Sequence, residues 1–262
     1  MPEGDTVYAT ARRLTEALGG STLVKGELRH PRLSTVDLAG RVLLRAISVG
    51  KHLFLRFDDE LSLHCHLGMD GSWRVYNRRP PINHRVRAVL ATQERYALGT
   101  SLVEMALVAT ADEKRLVGHL GPDLLAADWS DSTRSEAVRR LTADPTREVG
   151  AALLDQRLMA GVGNVYKAEL CFLLGVSPWS PVSAVDPDEA VNLARKLLLR
   201  NASRPVRNTT GDPRRGRETW VYGRQRTGCL RCGGRVAVAD QGEAGRERVT
   251  YFCPTCQPGP HP

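Results

Sequence analysis

Three observations predict an α+β, multidomain fold. One helical stretch is followed by six short β-rich runs between residues 21 and 111, the period then turns helical, and four late cysteines fall as C-x2-C, twenty residues, C-x2-C. The first two imply an N-terminal helix with a β-sandwich and a second, α-helical domain. The third implies a zinc-finger β-hairpin. The expected boundaries are 1–125, 126–222 and 223–262. A chain of 262 residues with 42% hydrophobic content can build a core in two domains and a small module.

From Asp5 the pattern is helical. Val7, Ala11, Leu14 and Leu18 share one face, Asp5 is the expected N-cap and Gly19-Gly20 the stop. The tripeptide Met1-Pro2-Glu3 therefore lies at the mouth of a helix. Removal of Met1, which a small second residue permits, would leave Pro2 as a secondary amine able to add to a sugar C1′ and hold it as an iminium. Glu3 would then supply a carboxylate for proton transfer. The alternative is an ordinary frayed terminus.

The β-rich runs are 42–49, 53–57, 61–67, 73–76, 86–90 and 102–108, separated by turn signals. In the third, Leu61, Leu63, Cys65 and Leu67 share one face, which puts Ser62, His64 and His66 on a face expected to meet solvent. Histidines there either contact phosphate or are plain surface residues. Lys51, in Gly50-Lys51-His52 between two runs, is either an exposed turn lysine or a phosphate contact.

Residues 126–132 form a polar stretch expected to link the domains. Helices are expected over 136–142, 146–156, 164–174 and 187–200, the last behind Asp186-Pro187. Between the second and third lies Met159-Ala160-Gly161-Val162-Gly163-Asn164. Its glycines allow two tight turns with outward backbone N–H groups, suited either to a phosphate backbone or to a packing bend.

Charge is concentrated. The chain carries +8, and residues 200–235 hold ten Arg and no Lys against Asp212 and Glu218, a surplus equal to that total. Guanidinium forks suit bidentate phosphate contacts. No run approaches the roughly 18 apolar residues of a membrane span, and Glu3 and Asp5 are wrong for a signal peptide, so a soluble cytosolic protein is expected. Cys65 and Cys171 are isolated among apolar residues and expected to be buried. Cys229, Cys232, Cys253 and Cys256 read as one structural zinc site with no open position, holding a hairpin of 235–238 and 248–252.

Six segments together carry a resemblance: Met1-Pro2-Glu3-Gly4, Gly50-Lys51-His52, His66-Leu67-Gly68-Met69-Asp70-Gly71, Gly161-Val162-Gly163-Asn164-Val165-Tyr166, Val221-Tyr222-Gly223-Arg224 and Cys253-Pro254-Thr255-Cys256-Gln257. They span nearly the whole chain and resemble the bacterial formamidopyrimidine-DNA glycosylase and endonuclease VIII family, with Gly4 similar to the endonuclease VIII branch. The resemblance implies a helix and two-sheet sandwich, a helix-two-turns-helix domain and a zinc-finger hairpin, with DNA in the cleft between. It implies a bifunctional DNA glycosylase/AP lyase acting on oxidised pyrimidines through a Pro2 Schiff base, then β,δ-elimination. The alternatives are an oxidised-purine glycosylase and a non-catalytic damaged-DNA-binding protein; loss of Pro2 or Glu3 would mark the latter. By the same resemblance Glu3 is the general acid/base, Lys51 contacts phosphate and assists β-elimination, and Arg248 grips phosphate and serves δ-elimination. His66 and Asn164 contact DNA, Met69 fills the gap left by the flipped base, and His119 faces the opposite strand. The implied partner is double-stranded DNA with oxidised or abasic sites, bound by a monomer at the bacterial nucleoid.

The chain departs from the pattern at three places. Asp5-Thr6 stand where many members have Pro-Glu, so the family's second N-terminal carboxylate is missing. His119 stands where the endonuclease VIII branch has Arg, making that contact weaker or pH-dependent. Asp70 follows Met69 where an aromatic is common, leaving fewer wedge residues.

Overall fold

A computed structural model describes residues 2–262; Met1, and with it the expected processing step, lies outside the described residues. The chain forms two compact units, the first ending at His119 and the second running from Leu120 to Pro262.

In the first unit, helix α1 (Gly4–Leu18) buries the predicted stripe of Val7, Ala11, Leu14 and Leu18. It leads into β1 (Ser21–Thr22), β2 (Lys25–Leu28), β3 (Val42–Val49), β4 (His52–Phe57), β5 (Leu61–His66), β6 (Ser72–Tyr76), β7 (Val86–Ala91), β8 (Tyr96–Thr100) and β9 (Glu104–Ala109). These make two antiparallel sheets, ordered β1-β3-β4-β5-β9 and β2-β7-β8-β6. Their inner faces share one core with α1, including Leu14, Leu43, Leu55, Leu63, Trp73 and Leu90. Thr15 pins the helix to β3: its Oγ1 accepts from Ala46 N at 2.8 Å and lies 3.1 Å from Ala46 O.

Several expectations need correction. The N-cap of α1 is Glu3, in extended conformation, and not Asp5, which is the second helical residue and is buried. A carboxylate in that first turn gains from the helix dipole without capping it. Strand β8 carries little β signal because of Gly99, where an added Cβ would lie 2.7 Å from Leu102 and 2.9 Å from Trp73. The expected solvent face of β5 is covered: Ser62 and His64 are buried. A short helix α2 (Glu113–Val117), absent from the sequence reading, brings Glu113 to Ser62 on this face. Glu113 takes hydrogen bonds from Arg56 Nε (2.9 Å), Arg56 Nη2 (2.6 Å) and Ser62 Oγ (2.7 Å). Burial works against the Glu113 charge, but these donors prevail and hold its pKa below the usual value.

The second unit holds α3 (Asp131–Leu141), α4 (Val149–Leu154), α5 (Asn164–Leu173) and α6 (Pro187–Ala202), then a hairpin of β10 (Ala237–Gln241) and β11 (Arg248–Phe252). Helix α3 starts five residues before its expected onset, because Ser130 and Thr133 form a capping box. The polar stretch read as a linker is therefore a helix cap, and its Trp129 lies under the Arg195 guanidinium at 4.8 Å. Asp186 caps α6 as expected, accepting from Glu189 N at 3.1 Å with Pro187 in the first turn. Cys65 and Cys171 are fully buried, and burial pushes the Cys171 thiol up to about 12.

Gly26 in β2 has no room for a side chain, since a Cβ there would sit 2.4 Å from the Leu38 backbone. Gly26→Ala is expected to cost about 1–3 kcal/mol, measured as a lower urea midpoint at unchanged slope.

Candidate functional site

The first unit presents two groups of the residues singled out by sequence. At the mouth of α1, Pro2 is partly exposed while the Glu3 side chain is fully buried. Glu3 O accepts from Thr6 N at 3.0 Å and Val7 N at 3.1 Å, closing the first helical turn. Thr6 adds a hydroxyl contact to Asp5 Oδ1 at 3.2 Å. With Glu3 buried and closing the first helical turn, Pro2 is attached to a fixed point beside the positive end of a helix dipole.

The second group gathers at one end of the five-stranded sheet. Val49 pairs with His52, so Gly50-Lys51 is a two-residue turn, with Gly50 in the left-handed region at φ 57°. In register, His52 faces His66, which faces Glu104. His52 Nδ1 lies 2.9 Å from His64 Nε2, with the rings stacked at 5.1 Å. His66 and His119 turn edges toward His52 at 5.2 and 6.3 Å. Lys51, His66 and His119, far apart in sequence, thus surround His52, which the sequence offers within Gly50-Lys51-His52 but with no role of its own. Burial, reinforced by His64, His66, His119 and Lys51, pushes the pKa of His52 down to about 3. Burial also lowers His64 and His66, with Glu104 opposing. His66 Nδ1 accepts from Gly68 N at 3.2 Å, so a neutral His66 carries its proton on Nε2 and is a hydrogen-bond donor there. Just beyond, Met69 is 61% exposed after Gly68, which has φ 61°.

In the second unit the glycine-rich segment forms the expected double turn, with Gly161 at φ 115° and Gly163 as the N-cap of α5. Gln156 braces it: its Oε1 accepts from Gly161 N at 3.1 Å and its Nε2 donates to Val162 O at 2.9 Å. Asn164, almost fully buried at the first position of α5, donates Nδ2 to Val249 O at 2.8 Å, while its Oδ1 is buried without a hydrogen-bond partner among the described residues. The fold therefore brings Asn164 to β11, beside the exposed Arg248. The four late cysteines also converge. Their sulfurs lie within 4.8 Å of one another, with Cys229–Cys256 at 3.9 Å and Cys232–Cys253 at 3.6 Å. A tetrahedral ion with bonds of about 2.3 Å places sulfurs roughly 3.8 Å apart, so the donor set fits one four-coordinate metal.

The Arg-rich window is not one undivided patch. Arg214 and Arg217 both pair with Asp212. Arg224 binds Gly228 O and Gly216 O. Arg207 lies over Tyr166 at 5.0 Å, and Arg231 over Phe172 at 4.3 Å. The segment leading into Val221-Tyr222-Gly223-Arg224 is held by Glu169, a buried carboxylate the sequence did not single out. It accepts from Trp220 N (2.8 Å), Val221 N (3.0 Å), Tyr222 N (2.9 Å) and the Thr209 hydroxyl.

Comparison with known proteins gives consistent findings. Residues 1–101 match the formamidopyrimidine-DNA glycosylase N-terminal domain, and residues 120–204 match the formamidopyrimidine-DNA glycosylase H2TH domain. The chain is 52% identical to a probable endonuclease 8 2 of Streptomyces coelicolor, over 100% of this chain and 96% of that protein. It is 47% identical to the DNA-(apurinic or apyrimidinic site) lyase Nei2 of Mycolicibacterium smegmatis, over 98% and 99%. The Lactococcus lactis Fpg, solved with abasic-site DNA, shares the fold at a TM-score of 0.79 with 23% identity, over 98% of this chain and 100% of that one.

The histidine cluster sets a pH dependence. Below the ordinary value of 6.5 the unfolded chain takes up protons that folded His52 refuses until about pH 3, so stability falls as pH falls through that window. The thermal midpoint of the first unit is expected to drop between pH 6.5 and 3, and His52→Gln should flatten that slope in calorimetry.

Proposed function

The chain belongs to the formamidopyrimidine-DNA glycosylase and endonuclease VIII family, on its endonuclease VIII branch, and from that premise we propose that it is a bifunctional DNA glycosylase/AP lyase of base excision repair that removes oxidised pyrimidines from double-stranded DNA. The observation that carries the chemistry is the seating of Pro2 and Glu3 at the anchored mouth of α1. With Met1 removed, the Pro2 nitrogen attacks C1′ and the glycosidic bond breaks. Glu3 supplies a proton to the departing base; the C1′–O4′ bond then opens, with O4′ taking up the proton released from the Pro2 nitrogen, and C1′ becomes an iminium. The iminium acidifies the C2′ hydrogen; its loss expels the 3′ phosphate, and a second elimination expels the 5′ phosphate.

The reading assigns the chemistry to 1–125 and the grip on DNA to 126–222 and the hairpin of 223–262. Lys51 and the Nε2 donor of His66 hold phosphate beside the reacting sugar. Met69, apolar and exposed, fills the space of the flipped base, whose extrusion costs a few kcal/mol. His119 stands on the opposite-strand side, and Asn164 and Arg248 bind the backbone from the second unit. The four cysteines hold a zinc ion. Thiolates, four-fold coordination and the absence of an open position suit it, and its part is to fold the hairpin that displays Arg248. The chain is read as a cytoplasmic protein; among the described residues no helix is long and apolar enough to cross a membrane.

Borohydride reduction during reaction with abasic or 5-hydroxyuracil duplex is expected to give a covalent adduct that peptide mapping places on Pro2. An adduct on any other residue removes the proposed nucleophile, and faster excision of 8-oxoguanine than of 5-hydroxyuracil overturns the pyrimidine assignment. DNA affinity should fall log-linearly with salt. Arg248→Ala should reduce the salt slope by about one phosphate contact and depress δ-elimination more than base removal.

A further inference from the structure

We propose that Lys167 is a positioning residue for Arg248, joining the double turn to the zinc hairpin through hydrogen bonds that fix the strand carrying the phosphate grip. The proposal rests on the reading of Arg248 given above. Lys167 lies one helical turn after Asn164 on α5, and its side chain is fully buried. Its Nζ donates to Thr250 Oγ1 at 2.5 Å and reaches Gln241 Oε1 at 3.5 Å. The Thr250 hydroxyl in turn donates to Arg248 O at 3.0 Å. With the bond from Asn164 Nδ2 to Val249 O, the first turn of α5 holds residues 249 and 250 of β11, and Thr250 passes the hold on to the carbonyl of 248.

Gln241 completes the arrangement from the facing strand. It pairs directly opposite Arg248, and its Nε2 donates to Glu148 Oε2 at 2.9 Å and Pro178 O at 2.8 Å. Those two acceptors fix the orientation of the amide, so Oε1 faces the amine. Gly150 in α4 makes room for it, since a Cβ there would lie 2.4 Å from Gln241 Oε1. The Glu148 carboxylate thereby polarises the amide that faces the Lys167 ammonium. A well-packed apolar side chain at such a site would be at least as stabilising as a buried ammonium. Stability therefore does not account for the lysine, whereas directional bonds that end at Arg248 do.

The test compares Lys167→Met, Thr250→Val, Arg248→Ala and the Lys167→Met/Arg248→Ala double variant on an abasic duplex. It reads the ratio of δ- to β-elimination products together with zinc content and thermal midpoint. Lys167→Met is expected to lower the ratio on the order of tenfold, the scale on which small misplacements of reacting groups act, with zinc retained. Thr250→Val should do the same, and Lys167→Met should add nothing once Arg248 is alanine. An unchanged ratio in Lys167→Met, or an equal further drop in the Arg248→Ala background, overturns the proposal. If Lys167→Met does not fold, the ratio in Thr250→Val decides. If Arg248→Ala leaves the ratio unchanged while wild type performs both eliminations, the reading of Arg248 fails and the Lys167 proposal falls with it. Absence of any cleavage by wild type rejects the lyase reading itself.

Discussion

An amine at a chain terminus is useful to chemistry only if it is held still, and termini are the parts of a protein with the fewest contacts to hold them. On the proposed reading of Pro2, this constraint bears on the first unit. Glu3 is buried, the first turn of α1 closes on its carbonyl, and Leu14 and Leu18 sink the far end of the helix into the core shared by both sheets. Thr15 ties the same helix to β3, and β3 leads directly into the Gly50-Lys51 turn. One helix thus links the position of Pro2 to the sheet that positions Lys51, His52 and His66.

The second unit meets a different constraint: a two-stranded hairpin is at best marginally stable alone. It is held at its base by the cysteine cluster and along β11 by the first turn of α5. Gln257 extends the hold, since its Oε1 accepts from Cys253 N at 2.8 Å and its Nε2 donates to Val176 O at 3.0 Å. The Arg-rich window is similarly disciplined. Several guanidinium groups are occupied by Asp212, backbone carbonyls or aromatic faces, so the charge seen in composition overstates the charge available to a polyanion.

What could be read from sequence was local pattern. The stripe of α1, most of the strands, the Asp186 cap and the cysteine spacing each follow from residues near one another in the chain. What could not be read depended on distant partners. His64 alternates as a surface residue would, yet it is buried against His52 and Phe54, and Ser62 on the same face is met by Glu113 of α2, five residues long with no periodicity to announce it. Asp5 is a good capping residue, but the helix begins two residues earlier because Glu3 is the residue that takes the extended conformation. Lys167 shows least of all: a lysine on a helix reads as solvated, and only the fold reveals it facing Thr250 and Gln241.

The distribution of thiols has its own consequence. Cys65 and Cys171 are sealed in the cores, where burial raises their pKa values and withholds the nucleophilic thiolate. Cys232, one of the four clustered cysteines proposed to hold zinc, is the exposed one. An oxidant reaching this chain therefore meets the hairpin sulfur first. Its earliest damage would loosen the strand that carries Arg248 while leaving the Pro2 end of the molecule untouched.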